Sequence, residues 1–319
     1  MNKKIFVLSI AALFCCSLKA HSKNVPISQG SYDGVYLSAR SMAMGGAGAA
    51  LSKNREFFYS NAASLADKEG SYYELSFIPI IENESNIPVN TGINSVFLSF
   101  NSASLLWRRM SQTSLVKNSD DKISFSINAL SLSSAKETDK NISVGWSLSY
   151  IYGNLSQASY NSIEGAQTSI SGGNGFSFDL SFLTPLRHNF SLGLNLKNIA
   201  GFMFYSGYEY QRLPFSFLLG LGYENNGFSA AIDWDKRFYK YSDLESGFLR
   251  AGIEQGINDF LFLRAGVVSD FDFKKDGFKY SGGLSFRIKK LYEISMAGER
   301  QSSNGAFYYM LSISAAIKK

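Results

Sequence analysis

The sequence predicts an all-β protein, a transmembrane antiparallel β-barrel of about 14 strands. Three features support this fold class: a composition typical of strands, an alternation of apolar and polar residues, and connectors that alternate between short and long. The 319 residues include 26 Phe, 18 Tyr and 28 Gly but only 5 Pro, 2 Cys and 2 His. This composition argues against a disordered chain, a disulfide-rich scaffold and a helical bundle.

Residues 1–20 form a predicted signal peptide. Two lysines precede a largely apolar run from Ile5 to Leu18, and Ala20 is a small residue at the expected cleavage point. The run is shorter than the ~20 apolar residues of a membrane-spanning helix, which disfavours an N-terminal anchor. Lipidation of Cys15 or Cys16 is a further alternative, although bulky residues precede both cysteines.

Removal of this segment changes the charge and the thiol content of the chain. Cleavage after Ala20 takes away three lysines and both cysteines, so the formal net charge falls from +5 to +2. The remaining chain has no basic run, and we predict no nucleic-acid partner. A mature chain without cysteine suits an exported protein, because it cannot form wrong disulfides.

Apolar and polar residues alternate along much of the chain. At 190–197, Phe and Leu alternate with Ser, Gly, Asn and Lys, and 142–150 shows the same pattern. The pattern recurs at 278–288, where only Gly282 interrupts the apolar face. A period of two residues indicates a strand with one apolar and one polar face.

Fourteen segments with strand character follow one another, and the connectors between them alternate in length. The predicted strands are 71–81, 93–101, 103–111, 122–132, 142–153, 174–185, 188–199, 213–224, 227–236, 247–257, 259–269, 278–288, 291–299 and 306–317. Tight connectors are predicted at 101–102, 186–187, 225–226, 258 and 289–290. Longer ones are predicted at 82–92, 112–121, 154–173, 200–212, 237–246, 270–277 and 300–305, and 133–141 breaks the rule because it should be tight.

Short turns at one end and long loops at the other are typical of outer-membrane barrels. The alternative is a soluble β-sandwich, which also shows alternation. The polar face of the predicted strands carries Ser, Gly, Asn and scattered charges, which would make a poor sandwich core. A closed barrel also removes the exposed edges of so many long strands.

Residues 24–68 lack this alternation. They include the small-residue run 38–50 (SARSMAMGGAGAA) and the stretch 57–65 (FFYSNAASL). A phosphate-binding glycine loop is disfavoured, because no strand precedes the glycines and no Walker lysine follows them.

These two stretches resemble the N-terminal signature of the FadL-like outer-membrane long-chain fatty acid transporters, in which an AR-x-M-x-MGGA stretch precedes a YNPAGL-type stretch. The resemblance implies a 14-stranded barrel (residues 71–319) with an N-terminal hatch (residues 21–70) inside the lumen. Later stretches are also similar to PorV-like relatives in a protein secretion system. The implied hatch residues are Gly45, Gly46, Gly48, Asn61, Ala62 and Ala63, and the family's proline is Ala62 here.

The chain offers little for catalysis, so we predict no enzyme, no cofactor and no catalytic residue. His21 lies at the cleavage site and His188 lies in a predicted tight turn, which leaves no Ser-His-acid set. Two Asp-x-Asp pairs, at 233–235 and 270–272, lack further ligands, and we interpret them as polar-face residues and predict no metal site.

Charged residues concentrate on the predicted lumen face late in the chain. They are Arg250, Glu254, Arg264, Lys279, Arg287 and Glu293. One interpretation is a set of ion pairs that holds the wall and the hatch together. The other is that one or two arginines bind an anionic head group such as a carboxylate.

Aromatic residues concentrate in the predicted long loops. A candidate ligand groove consists of Phe202, Phe204, Tyr205, Tyr208, Phe238 and Tyr239. Capture of a lipid-like ligand and an interfacial girdle are both open for them. A girdle is the expected role of Tyr150, Tyr223 and Trp234.

The resemblance implies passive uptake of long-chain fatty acids or similar hydrophobic molecules by a monomeric barrel in the outer membrane of a diderm bacterium. The expected partners are a hydrophobic small molecule or fatty acid and the outer-membrane lipid. The alternatives are a PorV-like barrel that serves secretion, interaction or structure without transport, and an open porin for small solutes.

Overall fold

The computed structural model describes most of the chain after residue 35. The described residues are 36–52, 57–66, 70–78, 81–82, 92–115, 122–138, 141–161, 165–206, 210–238, 246–270, 277–302 and 307–317. The predicted signal peptide lies outside them. No helix among the described residues is long and apolar enough to cross a membrane.

Strands dominate this part of the chain. They are β1 (Ser71–Ile78), β2 (Ile81–Glu82), β3 (Gly92–Phe100), β4 (Ala103–Leu115), β5 (Lys122–Glu137), β6 (Ser143–Asn161), β7 (Gly165–Pro185), β8 (Phe190–Tyr205), β9 (Gln211–Arg212), β10 (Phe215–Asn225), β11 (Phe228–Phe238), β12 (Ser246–Gly256), β13 (Leu261–Asp270), β14 (Lys279–Ile288), β15 (Tyr292–Gln301) and β16 (Phe307–Ile317).

The described strands close into a barrel. Each long strand pairs antiparallel with its neighbours along the chain, and β1 pairs with both β3 and β16. Fourteen of the sixteen strands form this closed sheet, and the two-residue strands β2 and β9 pair at the edges of β16 and β8. The predicted fold class is confirmed, and closure rules out the open sheets of a sandwich.

The strands β5 to β8 are longer than the sequence predicts. They have 16, 19, 21 and 16 residues, whereas β10 to β16 have 10 or 11. The predicted loop 154–173 is wrong, because β6 and β7 stay paired from Gly153↔Gly173 to Asn161↔Gly165. This stretch is rich in Ser, Asn and Gly, so it carries no apolar face for a periodicity argument to detect.

The connector 133–141 is also shorter than predicted. Strand β5 continues to Glu137, and a turn closes with a hydrogen bond from the N–H of Thr138 to the carbonyl oxygen of Ile142 at 2.8 Å. The apparent exception to alternating connector lengths therefore disappears. Residues with positive φ occupy the tight-turn end, as two-residue hairpin turns require: Asn101, Asn141, His188, Asn189, Asn226, Gly227, Lys289 and Lys290.

The two faces of the wall differ as the alternation predicts. Exposed Leu, Ile, Phe and Tyr side chains point outward, and buried Ser, Asn, Gly and charged side chains point into the lumen. Aromatic rings meet on the outer face near both ends, as in the pairs Phe190–Tyr223 and Phe215–Phe238. An apolar outer band between aromatic ends is the surface of a membrane-spanning barrel.

Arginine substitutions at two equally exposed leucines test whether the apolar outer band lies in the membrane. Leu148 lies on the outer face of β6 and is 48 % exposed, and Leu186 lies in a tight turn and is 47 % exposed. In lipid vesicles, Leu148→Arg should lower the free energy of unfolding by about 2–4 kcal/mol, because the charge enters the hydrocarbon layer. Leu186→Arg should change it by less than ~0.5 kcal/mol. Denaturant titration followed by Trp fluorescence measures both, and equal losses would contradict the membrane placement.

Candidate functional site

A segment of irregular chain, residues 36–52 and 57–66, lies inside the barrel (the lumen segment). It contains helix α1 (Ala39–Ala43) and a 3-10 helix (Ala62–Leu65), and most of its residues are buried. The sequence predicts a hatch at this place. Residues 21–35 of that predicted hatch lie outside the described residues, so its boundaries stay a prediction.

Local signals in the sequence shape the first part of the lumen segment. The hydroxyl of Ser38 accepts a hydrogen bond from the N–H of Ser41 at 3.1 Å and caps α1. Gly45 and Gly46 follow with φ of 63° and 77°, a conformation that other residues rarely adopt, so the chain turns there. A Cβ at Gly48 would collide with the ring of Phe57, so glycine lets these two parts of the segment pack together.

Glycines of the wall make room for the lumen segment. A Cβ at Gly193 would lie 2.1 Å from the carbonyl oxygen of Ala49, and a Cβ at Gly145 would lie 2.4 Å from the nitrogen of Ala63. A Cβ would also come within 3 Å of the lumen segment at Gly220, Gly222, Gly252, Gly266 and Gly283. The backbone of the segment therefore rests directly on the backbone of six strands.

Asn61 joins the two parts of the lumen segment to the wall. Its side-chain nitrogen donates to the carbonyl oxygen of Ala49 at 2.7 Å and to that of Phe182 in β7 at 2.8 Å. Its side-chain oxygen accepts from the N–H of Ala63 at 3.0 Å and caps the 3-10 helix. The helix therefore begins at Ala62 without the proline of the family motif, because the asparagine cap supplies the start signal.

Side chains of the wall satisfy the backbone groups of this irregular chain. Asp233 accepts hydrogen bonds from the N–H groups of Gly48 and Ala49 at 2.8 and 3.0 Å. Glu224 accepts from the N–H of Ser52 at 2.8 Å in the same way. Polar wall side chains also bond backbone groups at Tyr36, Leu37, Ala39, Ala50, Ser60 and Ala63. A buried chain outside regular structure needs such partners, because unpaired peptide groups are costly.

A buried ion network ties the lumen segment to β12, β13 and β15. Arg40 of helix α1 lies 2.5 Å from one carboxylate oxygen of Glu254, and Arg264 donates to the other oxygen. Arg264 and Arg287 both bind Glu293, at 2.9 and 2.8 Å. Within this network the Arg40–Glu254 pair joins the lumen segment to the wall, whereas the pairs of Arg264 and Arg287 join strands of the wall. The role of these charges in holding a hatch stays a prediction.

Arg250 has a different environment, because it lines a cavity of about 140 Å³. The cavity lies between the lumen segment and the end of the barrel from which the long connectors leave. Its floor includes Tyr36, Leu37 and Tyr59 of the lumen segment. We call this cavity the basic chamber. Its charged lining residues are Arg108, Lys197, Asp235, Arg237, Arg250 and Lys279.

Asp235 is the one carboxylate among the described lining residues of the basic chamber. It binds Arg250 at 2.6 Å and Arg237 at 3.1 Å. The guanidinium groups of both arginines lie over the ring of Phe248, with distances to its centre of 4.9 Å for Arg237 and 5.8 Å for Arg250. The second sequence interpretation, an arginine that meets an anionic group, therefore has a candidate place at Arg250.

The aromatic residues of the predicted ligand groove are divided between two faces. Phe202, Phe204 and Tyr205 lie in β8, so the prediction that they lie in a loop is wrong; pairing with β7 extends the strand past the last clear alternation. Phe202 and Phe204 point outward and meet Tyr210, whereas Tyr205 is buried on the lumen face. Phe238 ends β11 on the outer face. Tyr208 and Tyr239 lie outside the described residues.

Several contact residues escaped the sequence analysis. Alternation places Asp233 and Asp235 on the lumen face, but it does not show that one holds the lumen segment and the other binds arginines. Arg40 lies within the recognised motif, yet its partner Glu254 is 214 residues away. Among the described residues, no group of three or more His, Cys, Asp or Glu side chains could hold a metal ion.

Solved structures with the same fold are transporters and a FadL homologue. The toluene transporter TbuX of Ralstonia pickettii matches with a TM-score of 0.65 and 14 % identity, over 88 % of this chain and 98 % of its own. The P. putida toluene transporter TodX matches with a TM-score of 0.63 and 12 % identity, over 88 % and 99 %. A Pseudomonas aeruginosa FadL homologue matches with a TM-score of 0.58 and 12 % identity, over 88 % and 98 %.

Neither a protein-family model nor a curated protein sequence matches the chain. The described structure defines a class: a closed barrel of 14 strands that holds a segment of its own chain in its lumen. Its fold is that of FadL-like barrels, which confirms the sequence resemblance at the level of the fold. The relation to PorV-like proteins stays a prediction.

Replacing a wall glycine by alanine should destabilise the packing of the lumen segment against the wall. Gly193→Ala should cost about 1–3 kcal/mol of unfolding free energy, because its Cβ would overlap the backbone at Ala49. The control is Gly282→Ala, because a Cβ there would lie 3.7 Å from its nearest neighbour, the carbonyl oxygen of Arg264. Thermal unfolding in detergent measures both, and an unchanged Tm for Gly193→Ala would contradict the tight fit.

Removing the Asn61 side chain should loosen the lumen segment without opening the wall. Asn61→Ala deletes three buried hydrogen bonds, and each unsatisfied group costs about 1–3 kcal/mol. Limited proteolysis should then cut within residues 36–66 faster than in the unaltered protein. Asn174→Ala, an exposed position in β7, is the matched control and should leave the cleavage rate unchanged. Equal protection of both variants would refute the anchoring role of Asn61.

Proposed function

We propose that this protein is a monomeric outer-membrane channel that passes hydrophobic molecules passively, with the lumen segment as its hatch. One observation carries the proposal: 88 % of the chain matches the fold of two toluene transporters and a FadL homologue. The apolar outer band suits the lipid of an outer membrane, and the predicted signal peptide would direct export. The occupied lumen argues against a permanently open porin.

The geometry supports a route with three stages. Exposed aromatic side chains at the long-connector end, such as Tyr210 and Phe238, would capture a hydrophobic molecule from outside. The basic chamber would hold it above the lumen segment, with Arg250 near any anionic group. A shift of the lumen segment at Asn61 would then open a path towards the tight-turn end, because Asn61 bonds both the segment and β7.

The contacts of the lumen segment fit a hatch that can move. Many are hydrogen bonds between wall side chains and backbone groups of the segment, which water can replace once the segment shifts. The buried ion pair of Arg40 with Glu254 is a further restraint, and its two charges would have to separate or move together. Movement down a concentration gradient needs no energy source, and no nucleotide-binding motif is predicted in this chain.

The sequence resemblance and the similar solved structures point to two different classes of ligand. The sequence resemblance implies long-chain fatty acids, and the names of two similar structures refer to toluene. Uptake into lipid vesicles that contain the purified protein distinguishes them. A fluorescent fatty acid and radiolabelled toluene are each offered to vesicles with and without protein.

We expect saturable, protein-dependent uptake of at least one of these hydrophobic molecules. A disulfide between Ala39→Cys and Ser312→Cys would fix the lumen segment, because the N–H of Ala39 lies 2.8 Å from the hydroxyl of Ser312. Uptake should stop in the oxidised variant and return on reduction, and each single-cysteine variant is the control. If no hydrophobic probe enters or binds saturably, the channel proposal is wrong.

A second candidate function is a PorV-like barrel that binds protein partners without transport. The polar contacts between the lumen segment and the wall favour it, because they occupy the lumen. This function predicts no uptake in vesicles and no ion conductance in planar bilayers. It also predicts defined partner proteins that are lost when the connectors 239–245 and 271–276 are shortened.

A further inference from the structure

We infer that the basic chamber is a binding site for an aromatic carboxylate with a single ring. The inference rests on the proposed channel function and names the kind of molecule that this chamber would hold. Three properties of the described residues support it: the sign of the charge, the size of the cavity and the chemistry of its apolar lining.

The charge of the chamber favours an anion. Five cationic side chains line it, at 108, 197, 237, 250 and 279, against the single carboxylate of Asp235. Three more carboxylates act on these cations from nearby: Asp179 interacts with Arg108 and Lys197, Asp233 interacts with Arg250, and Glu299 interacts with Lys279. Among these described residues, five positive charges face four negative ones, and a bound anion would balance the remaining positive charge.

The donors are arranged for a carboxylate. Arg250 and Arg237 both reach the same oxygen of Asp235, so two guanidinium groups already converge at the chamber wall. The Nε of Arg108 is buried and has no hydrogen-bond partner among the described residues. Guanidinium groups bind carboxylates with two parallel hydrogen bonds, which favours this anion over a halide.

The cavity has room for about one ring. A cavity of ~150 Å³ holds a benzene molecule, and the chamber measures about 140 Å³. Pockets for larger ligands measure ~300–1,000 Å³. A long-chain fatty acid would therefore leave most of its chain outside the chamber.

The apolar lining suits an aromatic ring better than a small aliphatic anion. Tyr36 and Tyr59 form part of the floor, and Leu218 and Val268 lie on the wall. These side chains offer flat and branched surfaces to a ring while the cations hold its carboxylate. Acetate would meet the same charges but leave these apolar surfaces uncovered.

A ligand series on the unaltered protein tests the inference without any substitution. Equilibrium dialysis in a non-ionic detergent, with protein-free micelles as the blank, would compare benzoate, methyl benzoate, acetate and hexadecanoate. Benzoate should bind at least about tenfold more tightly than methyl benzoate, the ratio expected for one charge-assisted hydrogen bond. It should exceed acetate by a similar ratio, and hexadecanoate should not displace it better than benzoate itself.

Two variants locate the site. Lys279→Gln removes one charge from the chamber and should weaken benzoate binding about tenfold while leaving methyl benzoate unchanged. Arg187→Gln removes a charge from an exposed tight turn and is the matched control. If Lys279→Gln fails to fold, Arg108→Gln takes its place with the same expectation.

Each outcome decides between the proposals. Equal binding of benzoate and methyl benzoate, equal binding of benzoate and acetate, or an unchanged affinity in Lys279→Gln would overturn the inference. Saturable binding of toluene or hexadecanoate without benzoate binding would also overturn it but leave the channel function intact. Absence of binding by every hydrophobic probe would instead reject the channel function itself.

Discussion

The structure depends on one constraint: an irregular chain segment is buried in the lumen, and its peptide groups must find partners in the wall. Asp233 and Glu224 supply carboxylates for three N–H groups, and Asn61 bonds carbonyl groups on both sides of the interface. These wall partners come from many strands. The lumen face of the barrel is therefore polar for a structural reason, before any ligand is considered.

Small residues complete this fit. Glycines on the lumen face bring the wall backbone into contact with residues 43–50 and 62–63, where a larger residue would overlap. The small-residue run of the segment and the glycines of the wall are two sides of one interface. Because the contact is made largely by backbone atoms, a larger side chain on either surface would push the segment and the wall apart.

Charge is distributed unevenly around the lumen segment. The ion network of Arg40, Glu254, Arg264, Glu293 and Arg287 balances most of its own charges and joins the segment to the wall. The basic chamber on the long-connector side has an excess of cations. One charged region thus suits structure and the other suits an anionic ligand. The wall residues of the network lie on β12 to β15, whereas the chamber also takes Arg108 from β4 and Lys197 from β8.

The sequence by itself determined the closed-barrel class, the faces of most strands and the tight-turn end, because these follow from residues close together in the chain. Its motif also predicted a hatch in the part of the chain that contains the lumen segment. Only the tertiary structure decided the lengths of β5 to β8, because pairing across a hairpin can extend strands that lack an apolar face. It alone decided the partners of Arg40 and Asp233, the outward position of Phe202 and Phe204, and the basic chamber. These features join residues far apart in the chain, and closure of the barrel brings them together.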